Sequence, residues 1–131
     1  MNASAPDAAL LDAARRVRKH AYAPYSAYDV GAALLCDDGT IVAACNVENA
    51  SYGLSQCAER AAICAAIAGG HRRFSAIAVA GPDGETTAPC GACRQVLAEF
   101  GPETRVLYTT PAGFEETSVA ALLPATFVLP E

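Results

Sequence analysis

This sequence of 131 residues contains few aromatic residues, little methionine and few basic residues. It has no tryptophan and one methionine, and aromatic residues make up only 7% of the chain. Basic residues are also few, since nine Lys and Arg stand against fourteen Asp and Glu and leave a net charge of −5. Because nucleic-acid affinity depends on a basic surface, this balance argues against a nucleic-acid partner.

Long hydrophobic runs are missing as well. The longest run, residues 61–68, is far shorter than the roughly 18 residues that a membrane span requires. The first residues are polar and acidic around Asp7 and lack the basic start and apolar run of a secretory signal. We therefore expect a cytoplasmic protein with no membrane partner, whose six cysteines are metal ligands or buried thiols rather than disulfides.

Alanine is the residue that the sequence has in abundance, with thirty copies. Such small side chains allow helices and strands to pack closely. A chain of this length removes roughly two-thirds of its unfolded surface from water. We therefore expect one self-sufficient domain over residues 1–131.

The spacing of apolar residues predicts alternating helices and strands. Helices are expected at residues 7–20, 57–68 and 91–100, and strands at residues 29–36, 41–46, 75–80 and 105–109. The first two strands form an antiparallel hairpin, the third is a buried parallel strand, and residues 122–124 suggest a short helix before the tail. Together these elements indicate an α/β fold, a mixed sheet with helices on both faces.

Two segments that contain cysteine stand at the start of predicted helices. One reads Cys-Ala-Glu-Arg from Cys57, and the other reads Pro-Cys-Gly-Ala-Cys-Arg-Gln and contains Cys90 and Cys93. A helix N-terminus favours the thiolate, which is the form that binds zinc. Cys90 and Cys93 are three residues apart and can face one point. Three protein ligands leave the fourth tetrahedral position to water, as in catalytic zinc sites.

Glu59 follows Cys57 by two positions, which on an ideal helix would direct the two side chains about 200° apart. Both can face the metal only if Cys57 lies at the mouth of the helix. In that arrangement the carboxylate stands beside the water and is better suited to acid and base chemistry than to metal ligation.

The pairing of Cys-x-Glu with Pro-Cys-x-x-Cys is the signature of zinc deaminases. Beyond these two segments the sequence resembles the homotetrameric cytidine deaminases in Ala-Pro-Tyr-Ser at 23–26, Val-Gly-Ala-Ala at 30–33, Cys-Asn-Val-Glu-Asn-Ala at 45–50 and Leu-Leu-Pro at 122–124. The resemblance spans nearly the whole chain. It implies a three-layer α/β/α cytidine-deaminase-like fold around a mixed five-stranded sheet.

In similar enzymes a zinc-activated water attacks C4 of free cytidine or deoxycytidine, which yields uridine or deoxyuridine and ammonia. The resemblance thus implies one Zn²⁺ per chain, held by Cys57, Cys90 and Cys93, in an enzyme of pyrimidine salvage. Glu59 shuttles protons from the water to N3 and then to the departing amine. Arg60 hydrogen-bonds a ligating thiolate and so compensates its charge.

The resemblance also assigns residues to the nucleoside. Asn46 and Glu48 hold the ribose hydroxyls, and the Glu48 carboxylate disfavours a 5′-phosphate. Tyr28 stands where the family commonly has phenylalanine for packing on the base, so stacking is retained while the added hydroxyl has no assigned partner. Ala58 belongs to the same substrate site.

A homotetramer is the expected assembly. The helix over residues 61–68 is apolar nearly all round, which one small domain can hardly cover by itself. Its alanines allow equivalent helices to approach closely about two-fold axes. In similar enzymes the residues that correspond to Tyr52 and Phe127 line the pocket of a neighbouring subunit.

Other interpretations stay open at this point. An aminohydrolase for a modified cytosine compound would share the zinc segments without needing Asn-Val-Glu-Asn at 46–49. A zinc-stabilised binding module would have no use for Glu59 beside an open metal position, and the acidic charge disfavours a polynucleotide-editing deaminase. Among single residues, ordinary core or surface roles are the simplest assignment for Cys36, Cys45, Cys64, His20 and His71, and remain an alternative for Arg60 and Arg94.

Overall fold

A computed structural model describes residues 2–130, which contain one five-stranded sheet. The strands are β1 (Gly31–Cys36), β2 (Ile41–Cys45), β3 (Phe74–Ala80), β4 (Arg105–Thr110) and β5 (Gly113–Ser118), in the order β2-β1-β3-β4-β5. Strands β3 and β4 run parallel, and the other neighbouring pairs run antiparallel. The expected mixed five-stranded sheet is confirmed.

Helices cover both faces of this sheet. Helix α1 (Ala5–Arg18) lies on one face, and α2 (Ala58–Ala68), α3 (Gly91–Ala98) and α4 (Val119–Leu122) lie on the other. A 3₁₀ turn, Tyr52–Leu54, precedes α2. The three-layer arrangement is therefore confirmed. Within residues 2–130, no helix combines the length and the hydropathy that a membrane crossing requires.

Alternating side chains of the central strands divide the core into two layers. The layer beneath α2 and α3 holds the larger side chains, namely Leu34, Ile77, Val79 and Val106. The layer beneath α1 holds mainly small ones, namely Ala33, Ala76, Ala78 and Ala80. Alanine on this face lets α1 approach the sheet so closely that a Cβ atom at Gly31 would lie 2.0 Å from the carbonyl oxygen of Ala14.

Two strand assignments differ from the sequence analysis. Strand β5 has no counterpart among the strands predicted from periodicity, because its sequence, Gly-Phe-Glu-Glu-Thr-Ser, carries charge in place of an apolar run. It is an edge strand held in part by polar contacts, including Tyr108 Oη to Glu115 at 2.6 Å and Arg105 Nε to Glu116 at 3.1 Å. Strand β3 is buried as predicted, but only β4 runs parallel to it, since β1 is antiparallel.

Hydrogen bonds beyond β2 shape the region in front of α2. The backbone N–H of Tyr22 donates to Asn46 at 3.0 Å, and the N–H of Glu48 donates back to Tyr22 at 2.8 Å. On its other side Val47 exchanges two backbone hydrogen bonds with Gln56, the residue just before Cys57. These bonds fix the segment that follows β2 against the start of α2, where the cysteine segment begins.

The close approach at Gly31 generates a stability prediction. Gly31→Ala should lower the free energy of unfolding by about 3 kcal/mol or more, because the added Cβ forces α1 away from β1. Gly53→Ala is the matched control, since a Cβ at Gly53 meets no atom within 4 Å. Urea titration of both variants measures the difference, and equal stabilities for the two would contradict the close-contact argument.

Candidate active site

The sulfur atoms of Cys57, Cys90 and Cys93 form one compact group, all within 4.8 Å of one another. Cys57 and Cys90 are the N-cap residues of α2 and α3, and Cys93 is buried in the first turn of α3. Tetrahedral ligation of Zn²⁺ at about 2.3 Å would place sulfurs about 3.8 Å apart. The group therefore fits a zinc ion, and within residues 2–130 it has three members, which leaves one tetrahedral position for water.

The position of Cys57 resolves the geometric problem posed by Glu59. Cys57 is extended, with φ −72° and ψ 151°, and precedes the first helical turn. Because Cys57 is not helical, the rotation of about 100° per helical residue does not set the direction of its side chain. Cys57 and Glu59, which lies in the first turn, can therefore face the same metal position. The expectation that Cys57 lies at the mouth of α2 agrees with this backbone.

Charge within the sulfur group is concentrated on Cys57. A hydrogen bond from the Cys93 thiol and the nearby Arg60 guanidinium lower the pKa of Cys57 to about 5. Arg60 Nη2 lies 3.3 Å from Cys57 Sγ. The same hydrogen bond raises the pKa of Cys93, whose proton is shared with the thiolate. A dication that binds here replaces that proton.

Glu59 is the buried carboxyl of the site, with 5% of its surface exposed. Burial raises its pKa to about 7, and the negative charge of Cys57 acts in the same direction. A carboxyl that titrates near neutrality can both accept and release a proton under physiological conditions. The arrangement thus places a buried carboxyl, suited to proton transfer, beside a sulfur group with the donor atoms for a metal ion.

A pocket of about 270 Å³ opens in front of this pair. It is lined by Cys57, Ala58 and Glu59, by Cys90, and by residues from three further segments, namely Ser26, Tyr28, Val30, Asn46, Glu48, Thr86, Thr87 and Ala88. The structure therefore brings Tyr28, Asn46, Glu48 and Ala58 together around Glu59. A concave site with few converging polar groups is typical of small-molecule binding.

Asn46 supports one wall of the pocket through its side-chain amide. Its Oδ1 accepts a hydrogen bond from the N–H of Val30 at 2.8 Å, and its Nδ2 donates to the carbonyl oxygen of Tyr28 at 2.9 Å. These bonds use one donor and one acceptor of the amide and leave its second N–H for another partner. Asn46 therefore has a structural role as well as a place in the pocket.

Glu48 holds the neighbouring loop in a similar way. Its Oε1 accepts hydrogen bonds from the backbone N–H groups of Tyr25 at 2.9 Å and Ser26 at 3.1 Å, and its Oε2 accepts one from the Ser26 hydroxyl. The bond from the Ser26 hydroxyl, together with those from the backbone, lowers the pKa of Glu48. An ionised carboxylate therefore stands at the pocket edge, with acceptor positions still available.

Thr87 is the partner of the Tyr28 hydroxyl that the sequence left unassigned. The two hydroxyl oxygens are 2.8 Å apart, and Thr87 is buried against Gly81. This bond joins the loop after α1 to the loop before α3 across the pocket. Thr87 and Ser26 line the pocket but are not predicted as site residues from the sequence. A single threonine outside any motif carries no signal, and Ser26 stands out only as part of the Ala-Pro-Tyr-Ser segment.

Arg94 stabilises the loop that carries Cys90. Its Nε donates to the carbonyl oxygen of Pro89 at 2.7 Å, and its Nη1 donates to the carbonyl oxygen of Leu122 at 3.0 Å. Arg94 thus ties the loop before α3 to α4. Tyr52 and Phe127 instead lie outside the pocket, with 77% and 69% of their surfaces exposed.

Comparison with known proteins agrees with this geometry. A family model described as the cytidine and deoxycytidylate deaminase zinc-binding region matches residues 4–110. The chain is 47% identical over 120 residues to the cytidine deaminase of Sporosarcina psychrophila, a match that covers 90% of this chain and 88% of that relative.

Solved structures give the same result. The crystal structure of cytidine deaminase from Burkholderia pseudomallei has a TM-score of 0.86 and 50% identity, over 92% of this chain and 98% of that one. Cytidine deaminase from Mycobacterium tuberculosis has a TM-score of 0.84 and 42% identity, over 96% and 100%. With most of the chain matched, and with Glu59 and the three cysteines inside the matched range, the chain belongs to the cytidine and deoxycytidylate deaminase family and carries its zinc-binding region.

Proposed function

We propose that the protein is a zinc-dependent cytidine deaminase, which converts free cytidine and deoxycytidine to uridine and deoxyuridine and releases ammonia. The observation that carries the proposal is the buried Glu59 carboxyl beside three sulfur ligands, at the floor of a pocket lined by Asn46 and Glu48. The name of the relatives at 47% and 50% identity supports the same activity.

Glu59 performs the proton transfers of the proposed reaction. The zinc that Cys57, Cys90 and Cys93 would hold would supply a water molecule of lowered pKa, which makes attack on C4 of the base possible at neutral pH. Glu59 would take up one proton from this water and deliver it to N3, and would then carry the second proton of the oxygen added at C4 to the amine that leaves. Burial disfavours the charged form of this carboxyl, which suits a group that has to take up a proton. Arg60 offsets part of the negative charge of the thiolates by its bond to Cys57.

The pocket wall orients the nucleoside. The aromatic ring of Tyr28, held by Thr87, offers a flat surface to the base. The N–H of Ala58, the first residue of α2, lies outside the hydrogen-bond ladder of the helix and is available to the carbonyl oxygen of the base. Asn46 and Glu48 offer an amide and a carboxylate to the ribose hydroxyls.

We further propose a homotetramer with composite sites. One face of α2, formed by Ala61, Cys64, Ala65 and Ala68 at helical spacing, is exposed or only half buried in the single chain. The side chains of Tyr52 and Phe127 are also mainly exposed. Packing of α2 against its equivalents covers the small-residue face, and Tyr52 and Phe127 then complete the pocket of a neighbour.

The cellular setting follows from the sulfur chemistry. All six cysteines lie in the described part of the chain, where none of them forms a disulfide, and a thiolate metal group requires reduced sulfur. We therefore place the enzyme in the reducing cytoplasm. Its proposed partners are a small pyrimidine nucleoside and further copies of the chain, and the net charge of −5 argues against nucleic acid.

Glu59→Gln tests the proton-transfer role. The amide keeps the shape of the side chain but cannot carry protons, so we expect zinc and fold to be retained while kcat for cytidine falls by about a thousandfold or more. Loss of cytidine absorbance gives the rate, and metal analysis gives the zinc content. Glu85→Gln, at an exposed turn, is the control. A Glu59→Gln rate within about tenfold of wild type would refute the shuttle.

Glu48→Gln tests ribose recognition. With cytidine we expect kcat/KM to fall about thirtyfold, because the charge-assisted bond to a hydroxyl is lost. With 2′,3′-dideoxycytidine, which lacks those hydroxyls, the fall should be under about threefold. Ser26→Ala is the control, since it removes a hydrogen bond that holds the loop and keeps the carboxylate. Equal losses for both nucleosides in Glu48→Gln would assign the residue to loop structure alone.

Ala65→Arg tests the assembly. Sedimentation of the wild-type protein should give the mass of four chains, and a charge in the small-residue face of α2 should shift the population to smaller species and lower kcat/KM by about tenfold or more. Ala9→Arg, on an exposed position of α1, should change neither quantity. A fully active wild-type monomer at assay concentration would exclude both the tetramer and the shared pocket.

A further inference from the structure

A second group of metal-ligating side chains lies at the far end of α2. Cys36 ends strand β1, Asp38 lies in the turn that follows it, and His71 follows the C-terminus of α2. The donor atoms of these residues all lie within 4.8 Å of one another. Helix α2 has eleven residues, so this group is about 16 Å from the sulfur group at the N-terminus of the same helix.

Backbone hydrogen bonds fix the hairpin side of this group. The N–H of Cys36 donates to the carbonyl oxygen of Thr40 at 2.8 Å, which closes the turn. Asp38 Oδ1 accepts a hydrogen bond from the N–H of Thr40 at 2.9 Å. This bond leaves Oδ2 of Asp38 to face Nδ1 of His71, 3.8 Å away.

Backbone hydrogen bonds also fix the segment after α2, which carries His71. The N–H of His71 donates to the carbonyl oxygen of Ala66 at 3.0 Å, and Gly70, with φ +92°, reverses the chain in a conformation that glycine adopts without strain. The N–H of Asp37 donates to the carbonyl oxygen of Arg73 at 3.1 Å and so ties the hairpin turn to the segment after α2. The three donors therefore sit on a backbone that is already ordered.

The donor set matches a zinc-like ion. Thiolate, imidazole nitrogen and carboxylate oxygen are the three protein ligands that Zn²⁺ accepts, and tetrahedral geometry places such atoms about 3.4–3.6 Å apart. The Asp38–His71 separation of 3.8 Å is close to that value. Cys36 is 1% exposed, whereas the side chains of His71 and Asp38 are 21% and 57% exposed. An ion can thus enter from the Asp38 side and meet the sulfur beneath.

The local charges favour a cation. Burial and the carboxylates of Asp38 and Asp37 raise the pKa of the Cys36 thiol, so the sulfur keeps its proton until an ion displaces it. The guanidinium of Arg72 is engaged by the carbonyl oxygens of Ile67 and His71, at 3.0 and 2.9 Å. The charges that act on the thiol are thus those of the two carboxylates.

We propose that Cys36, Asp38 and His71 form a second divalent-metal site, separate from the sulfur group of Cys57, Cys90 and Cys93, which takes Zn²⁺ with water in the fourth position. On binding, the S–H bond of Cys36 gives way to a sulfur–metal bond and the proton passes to solvent. The bound ion joins the β1–β2 hairpin to the C-terminal end of α2.

Cobalt provides the test, because a Co²⁺–thiolate bond gives a charge-transfer band in the near ultraviolet. The protein, with zinc already bound at its first site, is titrated with Co²⁺ under reducing conditions. We expect one further equivalent to bind with this band. Cys36→Ser should abolish the band, and His71→Ala should weaken binding by about tenfold or more. All variants should keep wild-type deamination of cytidine, because none of these residues lines the pocket.

Two control variants separate the site from general thiol or histidine chemistry. Cys64→Ser removes an exposed cysteine of α2, and His20→Ala removes the other histidine of the chain. Both should bind the extra Co²⁺ as the wild type does. The proposal fails if no second equivalent of Co²⁺ binds with a thiolate band. It also fails if His71→Ala binds Co²⁺ as tightly as the wild type, because His71 is partly exposed and its replacement leaves the core intact.

Discussion

The meeting of two helix N-termini is the constraint on which the rest of this structure depends. Helices α2 and α3 begin at Cys57 and Cys90, so two sulfurs face one point before either helix has completed a turn. Both helix dipoles direct positive potential to the same place, where thiolates are stabilised. The sheet layer beneath these helices, with Leu34, Ile77 and Val79, keeps the two termini in register.

Burial and charge at this point are linked. Glu59 follows the N-cap so closely that packing of α2 on the sheet buries its carboxyl, and the same burial raises its pKa towards neutrality. Arg60, one position further, reaches back to Cys57. The start of one helix therefore places a sulfur, a buried carboxyl and a guanidinium together, which explains why the three residues lie within four positions of the sequence.

The residues of the pocket wall both order the neighbouring loop and face the ligand. Asn46 and Glu48 hold backbone groups of the loop after α1, and both also face the pocket. Tyr28 is fixed from the opposite side by Thr87. Because the same hydrogen bonds order the loop and present polar atoms to a ligand, the binding surface is formed before a nucleoside arrives, which reduces the ordering that binding requires.

The sequence by itself determined that Cys57, Cys90, Cys93 and Glu59 stand at the starts of two helices. Helix starts, ligand spacing and apolar periodicity are local properties of the chain, so they can be recognised without the tertiary structure. It also determined four of the five strands. Only the tertiary structure decided the place of β5, the Tyr28–Thr87 bond and the meeting of Cys36, Asp38 and His71. Each of these joins residues that are distant in sequence or held by polar contacts, and no local pattern encodes a distance between separate segments.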